Sequence, residues 1–406
     1  MIVTIERLGH LGDAIAQTEA GPVFVAQMLP GEVVEGELVA NRLENPRIIT
    51  PSVDRVRPPC VHARTCGGCM MQHANDDFVA AWKTDVIRSA LAGQGLEVPL
   101  RPILTSPAQS RRRATIAGRR TKGGALLGFH ARGSDTLVAV PQCQLLHPDL
   151  MAAFPALEAL VMTGGSRKTE LALTVTRTLA GPDVSVIGGK PLDSQLRLEL
   201  ARVAEAHGLS RLTWEREVVA LRTAPMQRMG RALVAPPPGA FLQATEAGQA
   251  DLLAAVREAV GDAKRITDLF AGAGTFALPL AEQAEVHAVE GDATMMAALD
   301  KGWRQAEGLK RVTTEARDLF RRPLEPDEFK NVQAVVIDPP RAGAEAQTKT
   351  LAVARVPVIA SVSCNPVTFA RDARILIAAG YRLDWVQPVD QFRWSAHVEL
   401  AARFSL

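Results

Sequence analysis

Cysteine, excess charge and long apolar runs are all scarce in this sequence. Its 406 residues include only five cysteines, a density far too low for a disulfide scaffold. Lys and Arg number 46 against 44 Asp and Glu, a net charge of +2, which excludes a histone-like protein that is basic throughout. A local basic patch remains compatible with this balance.

The sequence also lacks an address signal and a membrane span. Glu6 interrupts the apolar start of the chain before the core of a signal peptide could form. No run approaches the roughly 18 apolar residues of a membrane helix. We therefore expect a cytoplasmic protein with no membrane partner, in which clustered cysteines are more often metal or catalytic ligands than disulfides. Nothing in the sequence implies an obligate protein partner.

What is present is typical of a globular chain, with 47% hydrophobic and 22% charged residues. At roughly 150 residues per domain, two or three domains are expected. The first segment, residues 1–57, has short β-like runs at Val23–Val25 and Val33–Val34, separated by the turn signal Pro30-Gly31. This pattern predicts a small β-barrel.

The second segment, residues 58–235, mixes patterns and predicts an α+β domain. Residues 77–92 and 196–207 have the apolar spacing of helices, and residues 171–176 have that of a strand. Positive charge is concentrated in one stretch of this segment, at Arg111, Arg112, Arg113, Arg119, Arg120, Lys122 and Arg132.

The third segment, residues 236–406, alternates regularly between the two patterns. Helices are predicted at 245–260, 275–283, 293–307, 344–353 and 366–379, and strands at 265–269, 285–290, 311–315, 332–337, 357–361, 381–389 and 396–404. Strands that alternate with helices predict a doubly wound, mostly parallel α/β sheet.

A glycine-rich turn in the third segment predicts a nucleotide site. The run Asp268-Leu-Phe-Ala-Gly-Ala-Gly-Thr275 lies between a strand and a helix, where Gly272 and Gly274 allow a tight turn and the helix N-terminus is positive. Glu290 ends the next strand, where a carboxylate can accept hydrogen bonds from ribose hydroxyls. Ala277 stands where a dinucleotide-binding turn prefers a third glycine. The form resembles the S-adenosylmethionine turn of class I methyltransferases.

Three residues near strand ends are candidates for chemistry. Cys364 lies between a strand and the helix that starts at Pro366, where the helix dipole is expected to lower the thiol pKa. Asp338 follows another strand at the same sheet edge, and Glu399 lies in an apolar terminal strand. The alternatives are a buried structural cysteine, a helix-capping aspartate and a charge on an edge strand.

These motifs together resemble the RNA 5-methyluridine methyltransferase family. The resemblance implies that Cys364 is the nucleophile, Glu399 the general base and Asp338 an active-site aspartate. It also implies a Rossmann-like class I methyltransferase domain that binds S-adenosylmethionine. The residues implied for that pocket are Gln243, Phe270, Gly272, Gly274, Thr275, Glu290, Asp318 and Asp338.

The other four cysteines extend the resemblance to the ribosomal RNA members of this family. Cys60, Cys66, Cys69 and Cys143 match their [4Fe–4S] ligands, for which we expect a structural role. Zinc fits the same spacing, and an unmetallated Cys-x-x-Cys redox pair is a further alternative. The first segment resembles a TRAM domain, a small OB-like β-barrel that binds RNA.

The function implied is methylation of uridine C5 in RNA, with 23S ribosomal RNA preferred and transfer RNA as the alternative. The barrel and the Arg111–Arg132 stretch are expected to hold the RNA backbone, although a solvated surface explains the arginines equally well. A different class of function is a metal-stabilised RNA-binding or folding factor without turnover. Such a factor would not need both Cys364 and Glu399.

Overall fold

The computed structural model describes all 406 residues, and the first 50 form a six-stranded sheet. Its strands are β1 (Ile2–Thr4), β2 (Arg7–Leu8), β3 (Ala14–Thr18), β4 (Gly21–Val25), β5 (Val33–Val39) and β6 (Arg42–Thr50). The strand order is β1-β5-β6-β4-β3-β2. Because only Ile5 and Glu6 separate the two edge strands in the chain, the sheet curves back on itself around a small apolar core. The first segment is β-rich, as its turn signals predict.

A seven-stranded sheet follows, with order β10-β9-β8-β11-β12-β13-β14. The elements of this part of the chain are α1 (Asp76–Ala92), β7 (Leu104–Thr105), β8 (Arg113–Arg120), β9 (Ala125–His130), β10 (Leu137–Ala139), α2 (Pro148–Ala152), α3 (Phe154–Gly164), β11 (Leu171–Thr178), β12 (Gly181–Ile187), α4 (Ser194–Ala206), β13 (Arg211–Trp214), β14 (Glu217–Leu221), and the hairpin strands β15 (Gln227–Met229) and β16 (Ala232–Val234). Helices α3 and α4 pack on this sheet through one apolar core that includes Leu157, Leu200 and Trp214.

The last part of the chain forms an eight-stranded sheet with order β19-β18-β17-β20-β21-β23-β22-β7. Its elements are α5 (Glu246–Val260), β17 (Arg265–Leu269), α6 (Ala277–Leu280), β18 (Glu285–Glu290), α7 (Ala293–Gln305), β19 (Val312–Ala316), a 3-10 turn (Pro326–Phe329), β20 (Ala334–Ile337), α8 (Glu345–Ala354), β21 (Val358–Ser363), α9 (Pro366–Ala378), β22 (Arg382–Asp390) and β23 (Glu399–Ser405). Strands β17 to β21 run parallel, and β23 is antiparallel to both of its neighbours. The predicted α/β sheet is therefore confirmed.

The order of the parallel strands reverses between β17 and β20, and this switch point positions the site. Ligands of open α/β sheets bind in the crevice outside the carboxyl ends of the strands at such a point. Asp268 and Glu290 lie at the carboxyl ends of β17 and β18, and Asp338 and Cys364 directly follow β20 and β21. The fold therefore brings to one edge four residues that are spread over nearly 100 positions of sequence.

Local sequence sets where the helices around this edge begin. Thr245 caps α5 by accepting a hydrogen bond from the N–H of Gly248 at 2.9 Å. Asn365 caps α9, and Pro366 occupies the first helical position, where its missing N–H costs nothing. These caps fix the backbone immediately beside Gln243 and Cys364.

One helix is shorter than its sequence pattern predicts. Helix α6 covers only Ala277–Leu280, whereas the pattern predicts a helix over 275–283. Gly274 has φ +98°, which is not helical, so the helix cannot begin within the glycine turn, and it ends at Ala281. Four residues align few peptide dipoles, so the helix N-terminus beside the turn is less positive than that of the longer helix that the pattern predicts.

The connecting segment after the first sheet packs against the C-terminal sheet. Ile87 and Leu91 of α1 share an apolar core with Phe369 and Leu376 of α9. Strand β7 adds to the far edge of the C-terminal sheet by pairing in parallel with β22. None of the helices combines the length and apolar character that a bilayer crossing needs.

Candidate active site

The glycine turn after β17 has the backbone that the sequence predicts. Gly272 and Gly274 have φ angles of +55° and +98°, and Phe270 at +61° also has a left-handed backbone, which is uncommon outside glycine. A Cβ on Gly274 would lie 2.8 Å from Leu278, so this glycine is needed for packing. A Cβ on Gly272 would meet nothing within 4 Å, so this residue leaves open space beside the turn for a ligand.

The other residues predicted for the cofactor pocket surround this turn. Glu290 accepts a hydrogen bond from the N–H of Gly272 at 3.0 Å. The ring of Phe270 lies 5.4 Å from that of Phe320, whose N–H donates to Asp318 at 3.0 Å. Thr275 ends the turn and its hydroxyl makes no hydrogen bond within the protein.

Buried carboxyl groups accumulate at the switch point without a cation to pair with them. Asp268 is fully buried and no side chain donates to its carboxylate. Burial, and then Asp338, holds its pKa well above the ordinary value, and the backbone N–H of Ala277 opposes this shift. Burial and Glu290 raise the pKa of Asp338 to about 7. Asp338 does not cap the following helix, because the N-cap of α8 is Ala344. The helix-capping alternative is therefore wrong.

The thiol of Cys364 is harder to ionise than the sequence predicts. Burial, followed by the charges of Glu399 and Asp338, raises its pKa to about 11, and Arg341 opposes this shift. Cys364 precedes the N-cap Asn365, so it lies outside the first turn of α9, where the dipole acts most strongly. The prediction of a pKa lowered by the helix is therefore wrong for this state of the protein.

Glu399 begins an interior strand, which rules out the reading of an edge-strand charge. Strand β23 lies between β21 and β22, and the Glu399 residue is only 3% exposed. Burial, and then Asp338, raises the pKa of this carboxyl to about 8. A carboxyl whose pKa lies this close to neutral pH suits acid–base chemistry.

Two buried amides join the carboxyls, and the sequence pattern singled out only one of them. Gln243 donates through Nε2 to Asp338 at 3.4 Å and accepts through Oε1 from Nε2 of Gln391. The same Nε2 of Gln391 also donates to Glu399. The only available signal for Gln391 was a polar side chain immediately after β22, which predicts no particular partner.

A cavity of about 960 Å³ opens beside these residues. Cys364, Glu399, Arg341 and His397 line it, and so does the aromatic ring of Phe241, which is 62% exposed. Arg341 also lies 3.5 Å from Nδ1 of His397. Neither Arg341 nor His397 was singled out from the sequence, although each belongs to a motif that was. The nucleophile and base candidates therefore face one space.

The four remaining cysteines line the same cavity. All four are free thiols. Burial raises the pKa of Cys66 and Cys143, and raises that of Cys69 to about 12, and the neighbouring thiols contribute in the same direction. Their side chains converge on one region, yet no three His, Cys, Asp or Glu groups are close enough to hold a metal ion. The expected metal site is therefore not formed in the structure.

The arginine stretch does not form one surface. Arg111, Arg113 and Arg132 line the cavity. Arg112 instead points inward, is 3% exposed, and donates to the backbone carbonyl of Gln243 at 3.0 Å. Arg119 pairs with Glu170 at 3.0 Å. The stretch is therefore divided between the cavity, the interior and an ion pair, and contact with RNA stays a prediction for the arginines of the cavity.

Comparisons with known proteins identify relatives of this chain. Residues 230–404 match the family model described as tRNA (uracil-5-)-methyltransferase. An uncharacterized RNA methyltransferase of Mesorhizobium japonicum is 42% identical over 98% of this chain and 96% of its own length. A 23S rRNA (uracil(1939)-C(5))-methyltransferase, RlmD, of Halomonas elongata is 33% identical over 98% of this chain and 88% of its own length.

The fold also matches a solved structure along its whole length. The tRNA (uracil-54, C5)-methyltransferase of Pyrococcus abyssi, in complex with S-adenosyl-L-homocysteine, superposes with a TM-score of 0.77. The match covers 100% of this chain and 99% of that one, at 22% sequence identity. At this identity the likeness concerns the fold.

Proposed function

Because the chain belongs to the RNA (uracil-5-)-methyltransferase family, an S-adenosylmethionine-dependent family, we propose that it methylates C5 of a uridine in 23S ribosomal RNA. The observation that carries the proposal is that Cys364 and Glu399 line one cavity. The choice of 23S ribosomal RNA is supported by the Halomonas relative, which is named for that substrate. Transfer RNA is the substrate that the family model names.

The chemistry explains why one thiol and one separate carboxylate are needed. C5 of uracil is a poor nucleophile, so Cys364, as the thiolate left after its proton passes to solvent, attacks C6 and moves the electron pair of the C5–C6 double bond to C5. After C5 has gained the methyl group, Glu399 removes the C5 proton, the electron pair re-forms the C5–C6 double bond, and the thiolate leaves. A uridine stacked in RNA must be flipped out to reach the cavity.

The residues at the switch point fit S-adenosylmethionine. When bound, this cofactor supplies an electrophilic methyl group on a sulfonium ion. The carboxyls of Asp268, Glu290 and Asp338 have no pairing cation from the chain, so a bound sulfonium would favour the ionised forms of Asp268 and Asp338, whose pKa values are raised without it. Gly272 leaves open space beside the turn. We assign the pocket to the residues predicted from sequence: Gln243, Phe270, Gly272, Gly274, Thr275, Glu290, Asp318 and Asp338.

We also propose that Cys60, Cys66, Cys69 and Cys143 hold a [4Fe–4S] cluster with a structural role. Four free thiols on one cavity are a suitable donor set, and the mutual repulsion of their ionised forms is what a bound cation would relieve. Zinc would satisfy the same donors. In this scheme residues 1–57 are an RNA-binding barrel, 58–235 carry the cluster and 236–406 are the catalytic domain.

The test uses the covalent intermediate. Glu399→Gln cannot remove the C5 proton, so enzyme and RNA should remain linked and give a shifted band on a denaturing gel. Cys364→Ala should give no such band and no methylation while still binding RNA. Normal turnover by Cys364→Ala would refute the assignment of Cys364 as the nucleophile, and would favour a mechanism that does not use this thiol.

The substrate is tested in cells. Mapping 5-methyluridine in ribosomal and transfer RNA, with and without the gene, identifies the position that depends on this protein. A loss confined to 23S ribosomal RNA supports the proposal, and a loss confined to transfer RNA overturns it. Loss of neither modification would favour a factor that binds RNA without turnover.

A further inference from the structure

The side-chain amide of Gln391 is hydrogen bonded through every group it has. Oε1 accepts from the backbone N–H of Ala244 at 2.6 Å and of Thr245 at 3.4 Å. Its two Nε2 hydrogens point to Gln243 and Glu399. Because backbone N–H groups can only donate, they fix which end of the amide is oxygen and therefore which end faces Glu399.

The neighbouring helix leaves room for this amide. Gly248 lies in the first turn of α5, where alanine would favour the helix more than glycine does. A Cβ on Gly248 would lie 2.5 Å from Cβ of Gln391 and 3.2 Å from its Oε1. The absence of a side chain at position 248 therefore permits the observed place of Gln391.

We propose that Gln391 is a positioning residue for proton removal, which fixes one oxygen of Glu399 and leaves the other for the uridine. This inference rests on the proposed role of Glu399 as the base. Only Oε2 of Glu399 is hydrogen bonded to the protein, and Glu399 lines the cavity that contains Cys364. The same amide holds Gln243, so the base and the assigned cofactor pocket share one anchor.

The amide also favours the form of Glu399 that can act as a base. An N–H donor stabilises a carboxylate, and this contact opposes the burial and the Asp338 charge that raise the pKa of Glu399. The other titratable and charged residues that line this cavity are Asp13, Arg42, His62, Arg111, Arg113, Arg132, Arg341, His397 and the five cysteines. Without the amide, the carboxylate form would require a higher pH.

The experiment compares Gln391→Met with wild type on a transcript of 23S ribosomal RNA and on a tRNA transcript. Glu399 remains but is no longer held in place, so the rate of product release should fall about 10- to 100-fold, less than the roughly 10²- to 10⁴-fold that a general base itself contributes. The RNA adduct should accumulate already methylated, which tritium from the methyl donor reveals on a denaturing gel. The pH at which the rate reaches half its maximum should rise, because the carboxylate is then harder to form.

A second variant and a control separate positioning from folding. Gly248→Ala leaves the amide intact but displaces it, and should give the same methylated adduct. Gln387→Met removes a buried amide within β22 that donates to the carbonyls of Pro102 and Pro388. This variant should retain normal kinetics and pH dependence. Melting temperatures of all three variants report any loss of fold.

The outcomes distinguish this inference from the proposed function. If Glu399→Gln traps the adduct but Gln391→Met and Gly248→Ala turn over like Gln387→Met, the role of Gln391 is refuted alone. A loss of rate that is equal at every pH, with no methylated adduct, would also refute the role of Gln391. If Glu399→Gln itself traps nothing and turns over normally, the proposed function fails first.

Discussion

The backbone carbonyl of Trp394 accepts a hydrogen bond from the N–H of Met70 at 2.7 Å. The N–H of Met71 donates to the same carbonyl at 3.0 Å. Met70 directly follows Cys69, and Trp394 lies in the loop that runs from Gln391 to Glu399. The loop that carries Cys69 is therefore hydrogen bonded to the loop between Gln391 and Glu399, so the proposed cluster would stabilise the backbone beside the proposed base.

We expect Cys69→Ala to remove a proposed cluster ligand and to loosen this contact. The anaerobic protein should lose absorbance near roughly 400 nm, melt at a lower temperature and methylate RNA more slowly. Cys364→Ala is the matched control, because it should abolish methylation while leaving absorbance and iron content unchanged. Colourless wild-type protein with stoichiometric zinc would contradict the iron–sulfur assignment.

The reactivity of Cys364 should depend steeply on pH. Because only the thiolate is alkylated and the thiol pKa is raised to about 11, iodoacetamide should modify Cys364 slowly at neutral pH and faster as the pH rises. Above its own pKa of about 8, Glu399 carries a negative charge that contributes to this shift, so at a given pH above that value Glu399→Gln should react faster than wild type. Mass spectrometry of the Cys364 peptide measures both rates. Equal rates in the two proteins would contradict the electrostatic account.

Glu399 should make the fold less stable as the pH rises. Its pKa is raised from an ordinary 4.5 to about 8, so between these values the folded state binds more protons than the unfolded state and stability falls with increasing pH. Glu399→Gln should therefore raise the melting temperature at about pH 9 by more than at about pH 5. Glu258→Gln is the control of opposite sign, because Arg101 lowers the pKa of Glu258. A pH-independent difference for Glu399→Gln would contradict the prediction.

A buried ion pair anchors the strand that leads into the catalytic loop. Nζ of Lys83 lies 2.6 Å from Asp390, both side chains are at most 2% exposed, and Lys83 also donates to the carbonyl of Phe392 at 3.1 Å. Lys83→Met should cost about 3–5 kcal/mol of unfolding free energy in urea, because it leaves Asp390 buried and unpaired. Restoring neutrality with Asp390→Asn should recover part of this loss.

The exposed pair of Arg88 with Asp85 on the same helix provides the control. Its side chains are 61% and 62% exposed, so Arg88→Met should change the free energy of unfolding by no more than about 1 kcal/mol. Similar losses of unfolding free energy for Lys83→Met and Arg88→Met would contradict the prediction that burial makes the Lys83 pair the more important of the two.

RNA affinity should depend on the arginines of the cavity and not on the whole stretch. Arg132 lines the cavity, whereas Arg119 is paired with Glu170. If Arg132 contacts a phosphate, Arg132→Ala should weaken binding and reduce the salt dependence by about one counterion. Arg119→Ala should change neither. Fluorescence anisotropy over a range of salt concentrations, with a 23S ribosomal RNA transcript, measures both variants.

The sequence by itself determined the class of fold and which reactive side chains lie at the carboxyl edge of the parallel sheet. Helix and strand patterns in the last segment depend on neighbouring residues only, so β17 and β18 begin and end at the predicted residues. Strand ends of a parallel sheet meet at one edge whatever the details of packing, and this is why Asp338 and Cys364 could be grouped in advance. Helix α6 is shorter at both ends than its apolar pattern predicts, so apolar spacing alone does not determine the bounds of this helix.

Only the tertiary structure decided how those groups behave. Gln391 and Gln243 are 148 positions apart, so no local pattern links them, yet together they hold Glu399 and Asp338. The pKa of Cys364 is raised because the fold buries it beside two carboxyls, an effect that outweighs the helix dipole expected from its neighbours. Burial and long-range charge depend on which distant residues share a cavity, and that is a property of the folded chain alone.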